Sequence, residues 1–159
     1  MKILLFLLFT FNINLNASNY SYKMDTHFTV INNQIEIPGH LNYATYQLKG
    51  SWTDNFGNYG RNSCKGIIDK GINKNVSLIV MCESIDKNGY KTWALNKRDG
   101  EFVGGVGANE IVDTTIPKKH LYIGTRCKFA IKYLDEMNFY KNKCKIPKEI
   151  AEVFEKISR

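Results

Sequence analysis

Asn62-Ser63-Cys64-Lys65-Gly66-Ile67-Ile68 and Val76-Ser77-Leu78-Ile79-Val80-Met81-Cys82 form the pair of segments on which the reading of the fold turns. Between them lies Asp69-Lys70-Gly71-Ile72-Asn73-Lys74-Asn75, a polar, Gly- and Asn-bearing run with the chemistry of a turn. When Cys64 is set opposite Cys82, Gly66 faces Val80 and Ile68 faces Leu78. The register that joins the cysteines therefore also gathers the apolar residues on one face, and a one-residue slip loses both. Opposed residues on paired strands have Cα atoms roughly 4.5–5.5 Å apart, within disulfide reach.

Asn88-Gly89 is the signature of a two-residue hairpin. It pairs Ser84 with Trp93 and Cys82 with Leu95, which adds Trp93 and Leu95 to the cysteine face and completes a three-strand meander. Upstream, Phe28–Ile31 and Gln34–Ile37 read as a hairpin about Asn32-Asn33, with Val30 against Ile35 and Phe28 against Ile37. Pro38-Gly39 stops it, and His40 sits in that turn. From Leu41 to Trp52 the residues alternate: Ala44, Tyr46, Leu48, Gly50 and Trp52 share one side. Asp54 to Gly60 is a loop.

Downstream, Asn96-Lys97-Arg98-Asp99-Gly100 turns the chain into Phe102-Val103. Gly104, Gly105 and Gly107 then imply a bulge or the close approach of another backbone. Ile111-Val112 reads as a short strand, Thr114–Lys119 as a loop, and Leu121-Tyr122-Ile123 as the lead into a strand over Cys127–Tyr133. That strand carries Cys127, Phe129, Ile131 and Tyr133 on one side. Setting Cys127 opposite Cys144 pairs Ile131 with Tyr140 and Phe129 with Asn142, and places Lys128 against Lys143 outside. A helix over 147–158 follows, opened by Pro147, with Ile150, Val153, Phe154 and Ile157 on one stripe.

Met1-Lys2, the apolar run Ile3–Phe11 and the polar stretch ending at Ala17-Ser18 have the pattern of a signal peptide over 1–17; the run is too short to span a bilayer. Residues 18–24 are expected to be a flexible start and 25–159 a single domain. Four cysteines, Cys64, Cys82, Cys127 and Cys144, allow three pairings and fit an oxidising compartment, periplasmic or secreted. Register favours Cys64–Cys82 and Cys127–Cys144. No Cys-x-x-Cys and no paired His are present, so no metal site is expected. The formal charge is +7, and the positive residues crowd the last third of the chain.

About eight to nine short strands with tight turns and one terminal amphipathic helix define an all-β domain. A meander closing into a small barrel is favoured, since closure removes the edges; a sandwich is the alternative. Gly50-Ser51-Trp52, followed by Gly57, resembles the Gly-x-Trp strand of calycin barrels, the lipocalins and avidins. Phe102–Gly107 resembles the Gly-rich strand of allene-oxide-cyclase-like and dirigent-like barrels. The calycin resemblance implies that Trp52 packs at the closed end of the barrel.

The residues point to binding rather than catalysis. His27, His40 and His120 are scattered, no Gly-x-Ser-x-Gly occurs, and the cysteines are committed to disulfides. No cofactor is expected. Tyr46, Trp52, Trp93, Phe129 and Tyr133 are candidates to line a site for a small apolar ligand. Lys128, Lys132, Lys141, Lys143 and Lys145 form a face suited to an anionic envelope component: lipid, polysaccharide or a protein partner. A cofactor-free, isomerase-like barrel enzyme is a third reading. Nucleic acid is not expected as a partner of an exported chain.

Overall fold

The structure, a computed structural model, describes residues 19–36, 42–70, 75–101 and 104–159. Eight antiparallel strands close into a barrel in chain order, the last pairing with the first. They are β1 (Tyr20–Glu36), β2 (Asn42–Asp54), β3 (Tyr59–Lys70), β4 (Asn75–Asp86), β5 (Lys91–Glu101), β6 (Gly104–Thr114), β7 (Arg126–Leu134) and β8 (Met137–Ile146). A 3-10 turn at Lys119–Leu121 precedes β7, and the helix α1 (Lys148–Ser158) follows β8. Closure runs from Tyr20 opposite Ile146 to Thr29 opposite Met137, so the architecture is a barrel and not a sandwich.

The first staple has the register the cysteines impose. Cys64 lies opposite Cys82, Gly66 opposite Val80 and Ile68 opposite Leu78, and the Cys64–Cys82 disulfide is formed. Gly66 is required there, because a Cβ on it would overlap the Ile79 carbonyl and Val80. Cys127 is bonded to Cys144, with Phe129 opposite Asn142 and Ile131 opposite Tyr140.

Four local expectations are corrected. Residues 20–24 are not a flexible start; they are the first turn-length of β1, laddered to β8. The hairpin about Asn32-Asn33 does not form. β1 runs straight through to Glu36 and pairs with β2, Val30 against Leu48 and Phe28 against Gly50, because a long partner strand satisfies its backbone along its whole length. Asn96–Gly100 does not turn the chain but lies inside β5. The bulge falls not at the glycines but near Val112, where Trp93 pairs with Asp113 and Ala94 with Ile111. Gly107 does mark a close approach: a Cβ there would overlap the Phe129 ring and the Lys97 carbonyl. Leu121 ends the 3-10 turn at Lys119–Leu121, and Tyr122 and Ile123 follow it as a turn leading into β7.

The fifth correction matters most for function. The Asn88-Gly89 hairpin has three loop residues, not two. Asp86 N–H donates to the Tyr90 carbonyl at 3.0 Å and Gly89 N–H to the Asp86 carbonyl at 3.0 Å, with Gly89 at φ 85°. Asp86 Oδ1 accepts from Asn88 and Tyr90 N–H. The β2–β3 loop repeats the device with Asp54 and Gly57. Asp at the first turn position and Gly at the fourth favour this type I turn with a left-handed Gly. The extra loop residue shifts β5 by one, so Cys82 faces Ala94 and Glu83 faces Trp93. The side chains at 94, 96 and 98 point inward while 93 and 95 point out.

The helix α1 closes one end of the barrel. Ile150, Ala151, Val153 and Phe154 are buried against Tyr22, Ile111, Ile116, Tyr122 and the Cys127–Cys144 staple. The Phe154 ring sits 5.0 Å from Tyr22, 5.8 Å from Phe56 and 5.4 Å from Tyr122. Carbonyls in the last turn of a helix lack intrahelical partners. Here Phe154 O accepts from Asn58 Nδ2, Ile157 O from Asn88 Nδ2 and Ser158 O from Lys87 Nζ, so the two Asp-Gly loops clamp the helix down. The signal-peptide segment, Pro38-Gly39-His40, the turn at 71–74 and Phe102-Val103 lie outside the described residues.

Replacing Cys64 and Cys82 together by alanine is expected to lower the unfolding free energy by about 3 kcal/mol, the chain-entropy value for a loop of this size. Urea denaturation followed by far-UV circular dichroism measures it. An unchanged midpoint and slope would show that the staple carries no stability.

Candidate functional site

Inward positions of the strands build two apolar layers. One lies away from the helix and contains Phe28, Tyr46, Leu48, Leu78, Val80, Phe129, Ile131 and Tyr140. The other lies under the helix. Met24 packs against both. The interior they share also carries four buried asparagines, Asn62, Asn96, Asn109 and Asn142, each 4–5% exposed. Together these groups line a cavity of about 80 Å³ inside the barrel.

Part of the polar set is internally bonded. Asn109 Nδ2 donates to Tyr140 Oη at 2.7 Å and to Asn96 Oδ1 at 3.2 Å, and Tyr140 Oη donates to Asn96 Oδ1 at 3.0 Å. Asn96 Nδ2 reaches the Ala94 carbonyl at 3.1 Å, and Asn62 Nδ2 reaches Thr26 Oγ1 at 3.4 Å. The rest is left over. Asn58 Oδ1, Asn62 Oδ1, Asn109 Oδ1, Asn142 Oδ1 and Trp52 Nε1 are buried without a hydrogen-bond partner, and all five residues line the cavity. Such groups are exceptional in folded proteins and call for an explanation, ordered water or a ligand among them.

Further from the helix, Tyr46 Oη donates to Tyr133 Oη at 2.9 Å and accepts from Asn138 Nδ2 at 3.3 Å. Arg98 is buried, donates to the Gly104 carbonyl at 2.7 Å and stands 5.9 Å from the Tyr133 ring. Burial pushes the Tyr46 and Tyr140 phenols far above their usual range. Both therefore act only as neutral O–H groups. Burial also raises Asp54, against hydrogen bonds from Asn58 and the backbone that lower it.

Of the five candidate lining residues, Tyr46, Trp52 and Phe129 face the cavity. Trp52, 7% exposed, sits two residues before the loop under α1, at the closed end. Tyr133 faces inward, half-buried, above the cavity. Trp93 does not line it, because the shifted register turns it out. Its Nε1 donates to Glu83 Oε2 at 3.1 Å, and Lys91 Nζ stands 3.6 Å from the same oxygen. Asn62, Asn96 and Asn109 escaped sequence reading, since inward asparagine breaks the apolar alternation that marks a buried face, whereas the pairing with Phe129 already turned Asn142 inward. Their even spacing with Ala94 and Ile111 was the available signal.

Lys128, Lys132, Lys141, Lys143 and Lys145 are all exposed on the outer wall of β7 and β8. Lys141 lies 3.9 Å from Asp25. The wall continues onto β1 through Lys23, which faces Lys143. His27 points outward beside Phe139, and His120 is exposed in the 3-10 turn. Among the described residues no cluster of His, Cys, Asp or Glu is arranged to hold a metal ion, and no helix is long and apolar enough to cross a membrane. The two disulfides are compatible with an exported protein.

Because burial raises the Asp54 pKa in the fold, its protonated form is favoured there. The resulting stability is complete below the ordinary 3.8 and is lost as pH rises through the folded value. Asp54→Asn keeps an oxygen for the Phe56 and Asn58 N–H groups and should flatten that loss. Unfolding free energy measured against pH is expected to fall less in the variant than in the wild type; parallel curves would contradict the assignment.

No family model matches the chain, and no curated protein matches it. Among solved structures it is similar to a conserved protein of unknown function from Rhodopseudomonas palustris, with 9% identity and a TM-score of 0.63, over 81% of this chain and 99% of that one. At that identity the likeness shows the barrel fold alone.

Proposed function

We propose that the protein is a binding barrel whose interior holds one compact, hydrogen-bonding molecule. The observation that carries this is the set of five buried groups, four amide oxygens and one indole N–H, that have no protein partner and sit on residues lining one cavity. Each unmet group costs about 1–3 kcal/mol. Five of them amount to a large part of the ~5–15 kcal/mol by which a domain is stable. An occupant that donates to the asparagine oxygens and accepts from Trp52 offsets that cost.

Size sets the ligand class. A volume of about 80 Å³ is near half the ~150 Å³ of an apolar cavity that binds benzene and far below the roughly 300–1,000 Å³ of a drug-sized site. The long apolar ligand that a lipocalin-like reading suggests does not fit this space. A small polyol, amide or urea-like molecule does, its carbon face against Phe129 and Tyr140 and its N–H or O–H groups toward Asn62, Asn109 and Asn142.

Native mass spectrometry of protein purified from its natural source tests the reading. The expected result is a bound small mass, released on unfolding and absent from the Asn142→Leu variant, which is expected to fold because the Asn142 oxygen is unmet and its Nδ2 reaches only Cys144 Sγ at 3.8 Å. Ligand-free protein, with the cavity filled only by ordered water in a high-resolution crystal structure, would overturn it.

A further inference from the structure

The outer wall opposite the first disulfide carries a charge arrangement that the fold does not require. Lys128 faces Lys143 across β7 and β8, and Lys143 faces Lys23 across β8 and β1. Three lysines thus stand side by side in one row on three neighbouring strands, spanning about 10 Å at the usual strand spacing. Along β8, Lys141, Lys143 and Lys145 form a second line, about 6.8 Å from one to the next. The two lines cross at Lys143. Like charges directly opposed on paired strands destabilise a sheet. Of the nearby carboxylates, Asp25 stands 3.9 Å from Lys141 at one arm of the cross and Glu110 pairs with Arg126, so neither meets the row of three. Among the described residues Lys23, Lys128 and Lys143 form no ion pair.

We propose that this cross of lysines is a docking surface for a linear acidic polysaccharide. Its charges repeat on the scale of the lysine spacing, and a flexible chain follows the curve of a barrel wall. The surroundings argue against the other polyanions. A membrane surface needs apolar side chains beside the basic ones, but the residues flanking the row are Ala108 and Ala130. The exposed Phe139 opposes Lys132 at the edge of the lysine face and Val106 opposes Ala130, while Met137 and Leu134 lie further along the wall beside Asp135 and Glu136, whose charge repels an anionic lipid surface. Single-stranded nucleic acid needs aromatic platforms for its bases, and the row has none.

Dextran sulfate is the probe, with neutral dextran as its control and binding followed by titration calorimetry. The full chain is expected to bind the sulfated polymer only, and more weakly as salt screens the charges. The Lys23→Thr/Lys128→Thr/Lys143→Thr variant should lose roughly tenfold or more in affinity, on the scale of three exposed charge contacts. The Lys49→Thr/Arg61→Thr/Lys65→Thr variant, which removes the same charge from the exposed wall of β2 and β3, should lose little. Lys143→Glu alone should reproduce most of the loss without disturbing the fold. Equal losses in the two triple variants, or tighter binding to phosphatidylglycerol vesicles or to a single-stranded oligonucleotide than to dextran sulfate, would overturn the proposal.

Discussion

The ladder between β1 and β8 is the contact on which the remaining structure depends. Strands β1 to β8 run as a simple meander, and a meander left open has two edges of unpaired N–H and C=O groups. Pairing from Tyr20–Ile146 to Thr29–Met137 removes both. Closure also creates the interior: the inward side chains of eight strands can meet only each other, so each must be apolar, small, or hydrogen-bonded. The glycines at 66 and 107 are set by that crowding, each lying where a Cβ would strike a neighbouring strand.

Closure leaves two ends, and α1 covers one of them. The cover is held by complementary shortages. The last carbonyls of the helix lack partners, and the Asp-Gly loops present Asn58, Lys87 and Asn88 to them. Phe154 fills the ring of aromatic residues below. The cavity therefore lies above the helix, with Phe28, Tyr46 and Phe129 in its wall. Burial is why five unmet atoms carry meaning inside the barrel that they would not carry on its surface.

Much of this was legible in the sequence. The cysteines, the alternation over Leu41–Trp52 and the stripe Ile150–Ile157 each specify a register or a face, and the β-barrel with a terminal helix follows from them. What failed did so for local reasons. A single loop residue, hidden by the strength of Asn88-Gly89 as a two-residue signal, reversed the faces of β5 and moved Trp93 from the interior to the wall. The duplicate spacing of Asp54 with Gly57 and Asp86 with Gly89 was the cue that resolves it. The polar lining of the cavity was obscured because sequence patterning equates inward with apolar, whereas Asn96 and Arg98 point inward among hydrogen-bond partners contributed by other strands. Lys23 was missed because a polar start was read as unpaired chain, and its row exists only once β1 meets β8.

The most direct measurement is amide hydrogen exchange along β1, resolved residue by residue by NMR. A strand laddered on both sides has every backbone N–H engaged, so uninterrupted protection is expected from Tyr22 to Phe28. Fast exchange at every second amide of that stretch would mean an edge strand. The barrel, its cavity and the lysine row would then all be contradicted together.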